Sequence, residues 1–144
     1  MKTENLQDWI GKTEERNDLL NAFPANAMAA TLNHEQLNYS ENKNLPPLWH
    51  WLYFLPIFRL SEAGYDGHAA LGDFLPPVKL PRRMWAGSRI EFLSPLKVGN
   101  EYKKKSKIKD VTAKSGRSGD LVFVTVSHEV SNGSTAVSYT HLTL

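Results

Sequence analysis

The sequence predicts an α+β domain in which a long-stranded antiparallel sheet wraps around a buried helix. Two observations carry this. Helix signals come first and strand signals afterwards, without alternation, and one aromatic-rich segment has almost no polar face. A helix that is apolar all round belongs inside a core, and 144 residues suffice to bury one core.

The elements follow in order. Asn21–Leu32 (NAFPANAMAATL) reads as a helix, because Pro24 suits a first turn and Ala25, Ala27, Met28, Ala29 and Ala30 favour helix. Residues 33–44 are polar and loop-like. A second helix is expected from about Leu48 to Phe58, with a break near Pro56. Its Trp49, Trp51, Leu52, Tyr53, Phe54 and Leu55 make it the buried one. Ser61–Pro81 is a Gly- and Pro-rich loop, and loops beyond ~12–15 residues tend to be functional or disordered. Its Tyr65, Phe74, Leu75, Val78 and Leu80 point to a packed, functional loop.

Strands are expected at Trp85–Leu93, around Ile90 and Phe92, and at Glu101–Val111, where Tyr102 and Ile108 oppose a lysine-rich side. Leu121–Val130 is the strongest strand signal. Pro95–Asn100 and Ala113–Asp120 read as turns, and Asn132-Gly133 promises a hairpin with one more strand. A buried helix followed by such a sheet is the hotdog arrangement.

Composition narrows the function classes. Hydrophobic residues make up 41% and charged residues 22%, as in ordinary soluble proteins. A net charge of +2 demands neither nucleic acid nor a membrane surface as partner. Without cysteine there is no disulfide framework and no thiolate chemistry, which fits a reducing cytosol. The polar N-terminus lacks the apolar core of a signal peptide. The apolar run Leu45–Leu60 is interrupted by Pro46, Pro47, His50, Pro56 and Arg59, so no span is expected. A cytoplasmic protein is the expectation.

Three segments carry a family likeness: Leu45–Pro56 (LPPLWHWLYFLP), Phe74–Phe92 (FLPPVKLPRRMWAGSRIEF) and Lys114–Glu129 (KSGRSGDLVFVTVSHE). Together they resemble the N-terminal MaoC-like domain of mesaconyl-CoA and itaconyl-CoA hydratases, and type 2 hydroxyacyl-thioester dehydratases are similar. The likeness runs from about Asp8 to Gly133. It implies one half of a double hotdog that adds or removes water across an α,β double bond of an acyl-CoA or acyl-carrier thioester. A short dicarboxylic acyl group is the implied substrate. Coenzyme A enters as part of the substrate, with no separate cofactor.

The resemblance also places the acid/base residues in a C-terminal hotdog unit. Residues 33–44 (NHEQLNYSENKN) hold His34 but not the Asp-x-Asn-Pro-x-His motif of MaoC-type hydratases. No catalytic residue is therefore assigned here, and the chain alone is expected to be inactive. The expected partners are the acyl thioester, the second hotdog unit and further copies in a homo-oligomer. The competing reading is a non-catalytic thioester-binding or subunit-pairing module. Val137–Leu144 back-translates in one frame to a sequence resembling a transposon-end sequencing adapter. The domain is accordingly expected to occupy 1–135, with 136–144 non-native; an ordinary edge strand is the other reading.

Candidate binding residues follow from chemistry. Arg82 and Arg83, beside Trp85, could hold coenzyme A phosphates or a free carboxylate, because guanidinium forks match those oxyanions. A solvated pair, or one bridging to the second unit, is the alternative. His50 and Trp51, in the aromatic segment with Trp49 and Tyr53, could line an acyl channel or simply fill the core. His68, in Asp66-Gly67-His68, could line the pocket or be loop structure. Too few ligands lie nearby for zinc. Lys103, Lys104, Lys105, Lys107 and Lys109 alternate between two strand faces, and only Tyr102 could stack on a base. They read as a solvated edge strand. Gly116–Gly119 lacks phosphate-loop spacing.

Overall fold

The computed structural model describes residues 5–117, 119–133 and 135–143, with side chains described as far as Val137. Five strands form one antiparallel sheet: β1 (Thr13–Leu19), β2 (Gly87–Phe92), β3 (Glu101–Gly116), β4 (Gly119–Asn132) and β5 (Thr135–Thr143). Their spatial order is β1-β3-β4-β5-β2. One α-helix, α1 (Ala22–Thr31), lies against the sheet, and short 3-10 turns occupy Leu6–Trp9, Trp49–Leu52 and Leu60–Glu62.

The β3–β4 hairpin is longer than the sequence pattern implied. Pairing continues to Gly116↔Gly119, so most of Ala113–Asp120 is strand rather than turn. Gly119 adopts φ +112, a conformation that side chains resist, and this lets the chain reverse tightly. Ser115 Oγ donates to Asp120 Oδ1 at 2.6 Å across the reversal.

The strand β1 (TEERNDL) has no apolar alternation; its backbone ladder with β3 holds it, and half-exposed charge pairs add little. Glu15 faces Lys105 and bridges Lys103 at 3.2 Å and Lys105 at 4.0 Å. The lysine run therefore sits on an interior strand, flanked by β1 and β4, and not on an edge as expected. Lys103, Lys105 and Lys107 are exposed, whereas Lys104 lies half-buried on the opposite face.

The wrapped helix is α1, not the aromatic segment. Asn21 caps it by accepting from Phe23 N at 3.1 Å, and it buries Ala25 and Ala29 completely. Small side chains let the helix approach the sheet closely, and Ala25 shares a core with Leu20, Tyr102, Val130 and Val137. The expected helix over Leu48–Phe58 is only the 3-10 turn Trp49–Leu52. Left-handed Leu48 (φ 72) and Phe54 (φ 57) bound it. Phe54 N donates to Asp18 Oδ2 at 2.8 Å instead of to a preceding carbonyl, so the sheet edge outcompetes the helix. The buried part of the expectation holds for His50, Tyr53 and Phe54.

A second core of Ile108, Val111, Val124 and Val126 is covered by Leu6, Trp9, Phe74 and Leu75. The long loop thus packs through its Phe74-Leu75 end. The backbone of 136–144, as far as Thr143, pairs with both β4 and β2. Ladder bonds join backbone groups, so this pairing is a separate matter from the segment's origin. Its expected side-chain pattern at Tyr139 and His141 lies outside the described residues.

Candidate functional site

Register on the sheet brings together side chains that are far apart in sequence. Ser106 faces Glu14 on one side and His128 on the other, a polar row across β1, β3 and β4. The next row holds Arg16, Lys104 and Val130. Ser106 is fully buried, and its Oγ lies 2.8 Å from His128 Nδ1.

His50 reaches the same region from the Trp49–Leu52 turn. It is 4% exposed, and its Nδ1 has no hydrogen-bond partner among the described residues. Its ring stands edge-on to Phe92, with centroids 5.9 Å apart. Burial, helped by the positive charge of Lys104, pushes His50 down to about 4. Burial first, then Lys104 and His50, also bring His128 to about 4. Both imidazoles are therefore neutral near pH 7.

Lys104 is held below its ordinary value by burial and by Arg16, against the opposing pull of Glu14. Its ammonium sits 5.7 Å from the Phe54 ring centroid. The carboxylates nearby are engaged elsewhere: Glu14 with Arg16 at 3.3 Å, and Asp18 with the Phe54 amide. Chemically, the site offers one ammonium, two neutral imidazoles and a hydroxyl. No hydrogen bond between a carboxylate and an imidazole falls among the described residues.

An apolar cleft of about 440 Å³ lies between Asn44–Pro47 and Phe92–Leu96. That is within the ordinary range for small-molecule pockets. Phe92 both lines this cleft and packs against His50, which joins the cleft to the polar rows.

The remaining sequence candidates lie elsewhere. Arg83 Nε is 3.2 Å from Asp66 Oδ2, an ion pair whose geometry is not that of a hydrogen bond. With Tyr65 Oη donating to the Pro81 carbonyl, it pins the long loop to the approach to β2. His68 is exposed, and its amide donates to Asp66 Oδ1 at 3.2 Å, closing a turn. Arg82, Trp85 and Trp51 are exposed. Among the described residues no group of three or more His, Asp or Glu side chains could hold a metal ion. No helix there is long and apolar enough to cross a membrane.

Sequence reasoning missed Ser106 and His128 and read Lys104 only as surface charge. The signal was an interruption of two apolar strand faces, at Ser106 before Ile108 and at His128 between Val126 and Val130. It becomes legible only when the register sets these residues side by side.

A sheet wrapped on an alanine-faced helix is the hotdog fold. The described fold matches the HadBC (3R)-hydroxyacyl-ACP dehydratase complex of Mycobacterium tuberculosis with TM-score 0.64 and 14% identity, over 97% of this chain and 98% of that one. It also matches the ChsH1-ChsH2 complex of the same organism with TM-score 0.62 and 13% identity, over 90% and 80%. Residues 48–142 match the hydroxyacyl-thioester dehydratase type 2 family, and the chain belongs to that family. Over 130 residues it is 44% identical to the mesaconyl-C(4)-CoA hydratase of Chloroflexus aurantiacus. That alignment covers 90% of this chain but 46% of the relative, so the chain spans about half that protein's length.

Proposed function

We propose that this chain is the pocket-forming half of an acyl-thioester hydratase or dehydratase, acting on a short dicarboxylic acyl-CoA. A second hotdog unit completes it and supplies the acid/base residues. The observation that carries this is the 44% identity over nearly the whole chain to one half of a mesaconyl-CoA hydratase. The geometry supports the division of labour. Neither His50 nor His128 is paired with a carboxylate among the described residues, so neither is set up as a general base. Exposed Leu55, Ile57, Leu60, Met84 and Trp85 give the chain apolar surface that an associated unit would cover.

In this account the acyl group occupies the cleft beside Phe92, and coenzyme A is carried as part of the substrate. Arg82 meets its phosphates, since Arg83 is engaged by Asp66. The test is co-expression with the second half of the Chloroflexus relative. A complex that hydrates mesaconyl-CoA, followed by loss of enoyl-thioester absorbance, is the expected result. A stable complex without turnover would count against the reading. It would favour instead a non-catalytic pairing module, a possibility raised by the two-chain HadBC and ChsH1-ChsH2 complexes.

A further inference from the structure

The polar rows on the inner face contain a cation with nothing among the described residues to neutralise it at contact distance. Lys104 projects from near the start of β3 onto the face that carries the core, with Arg16 directly opposite on β1. Glu14 is taken by Arg16, and Asp18 by the Phe54 amide. The described ion pairs of the lysine run belong to Lys103 and Lys105, which share Glu15 on the other face. Burying a lone charge costs free energy unless a counter-charge meets it. Near it, His50 Nδ1 is buried without a partner among the described residues, and such orphans ask for an explanation.

We infer that Lys104 and His50, backed by His128 and Ser106, form an anion subsite that receives the free carboxylate of a dicarboxylic acyl thioester. The carboxylate accepts from the Lys104 ammonium and from His50 Nδ1–H, which satisfies both groups at once. The neutral imidazoles serve as donors without adding charge, while Ser106 at 2.8 Å fixes the ring of His128. Phe92 borders both the cleft and His50, so a short acyl group lying there can point its far end toward His50. The inference deepens the proposed function and rests on it. It also moves carboxylate recognition from the Arg82-Arg83 pair to β3.

The test is calorimetric titration of the 144-residue chain with mesaconyl-CoA, and with crotonyl-CoA, a short unsaturated thioester without the second carboxylate. Cleft and subsite both lie within this chain, so binding needs no partner. Mesaconyl-CoA is expected to bind at least tenfold more tightly. Lys104→Met, which keeps the length of the side chain, removes the preference while leaving crotonyl-CoA affinity within about twofold. Lys104→Arg retains the preference and guards against a folding artefact. Equal affinities in the parent chain, a preference that survives Lys104→Met, or parallel loss of both ligands would each overturn the subsite. Binding of crotonyl-CoA without preference would leave the hydratase reading standing. Binding of neither thioester would bring down that reading and the subsite with it.

Discussion

The segment 53–86 holds more apolar side chain than the β3–β4 hairpin, yet it buries less of it. In the hairpin, Ile108, Val111, Val126 and Val130 are at most 2% exposed, and each strand supplies its neighbour's partners. In the segment, Ile57 is 99% and Leu60 91% exposed. That segment is held by point contacts: the Arg83–Asp66 ion pair, the Tyr65 hydroxyl and the Phe74-Leu75 plug. The hairpin is thus the buried scaffold on which other segments pack, while much of the segment presents apolar surface outward. In the account given above, that surface is what the second hotdog unit covers.

Truncation should separate the two most sharply. Ile108→Ala, at a fully buried position, is expected to cost about 3 kcal/mol in urea unfolding, the usual scale for such cavities. Ile57→Ala should cost less than about 0.5 kcal/mol. Comparable losses at both positions would mean that the segment is as integrated as the hairpin.

Acid should act on the scaffold side of the comparison. His50 and His128 are lowered from 6.5 to about 4. The unfolded chain therefore takes up protons that the folded chain refuses. Their contribution is complete above pH 6.5 and is lost as the pH falls toward 4. Urea midpoints at pH 7.5 and 5 should differ in that direction, and the slope should flatten in His50→Gln/His128→Gln. An unchanged midpoint would show that both rings titrate as if in water.

Removing 137–144 probes the sheet itself. β2 joins the sheet only through β5, so the deletion should free β2 and cost more than about 1 kcal/mol. A smaller loss would mark the tail as dispensable to the fold. The smallest stability change should come from Ile57→Ser/Leu60→Ser/Met84→Ser, whose effect belongs in association. Light scattering should find the parent chain self-associated and the triple variant less so, with closely similar unfolding midpoints.

Legibility in the sequence divides along the same line. Alternation exposed β3 and β4, the alanines exposed α1, and Asn132-Gly133 announced the hairpin into β5. β1 escaped because TEERNDL has no apolar face, and the strand it pairs with lies some ninety residues away in sequence. The aromatic segment misled because its helical composition is overridden by two left-handed residues and by Asp18 claiming the Phe54 amide. The long loop was legible as packed at Phe74-Leu75. Of the site, His50 was legible as a buried histidine, whereas Ser106, His128 and the inward turn of Lys104 depend on register.

The central claim, that this chain shapes a pocket without performing the chemistry, is tested most directly by assaying the chain alone. With mesaconyl-CoA, itaconyl-CoA or crotonyl-CoA as substrate, hydration is expected to stay at the uncatalysed rate. Turnover well above that rate, abolished by His50→Ala or His68→Ala, would place the catalytic residues within this half and contradict the account.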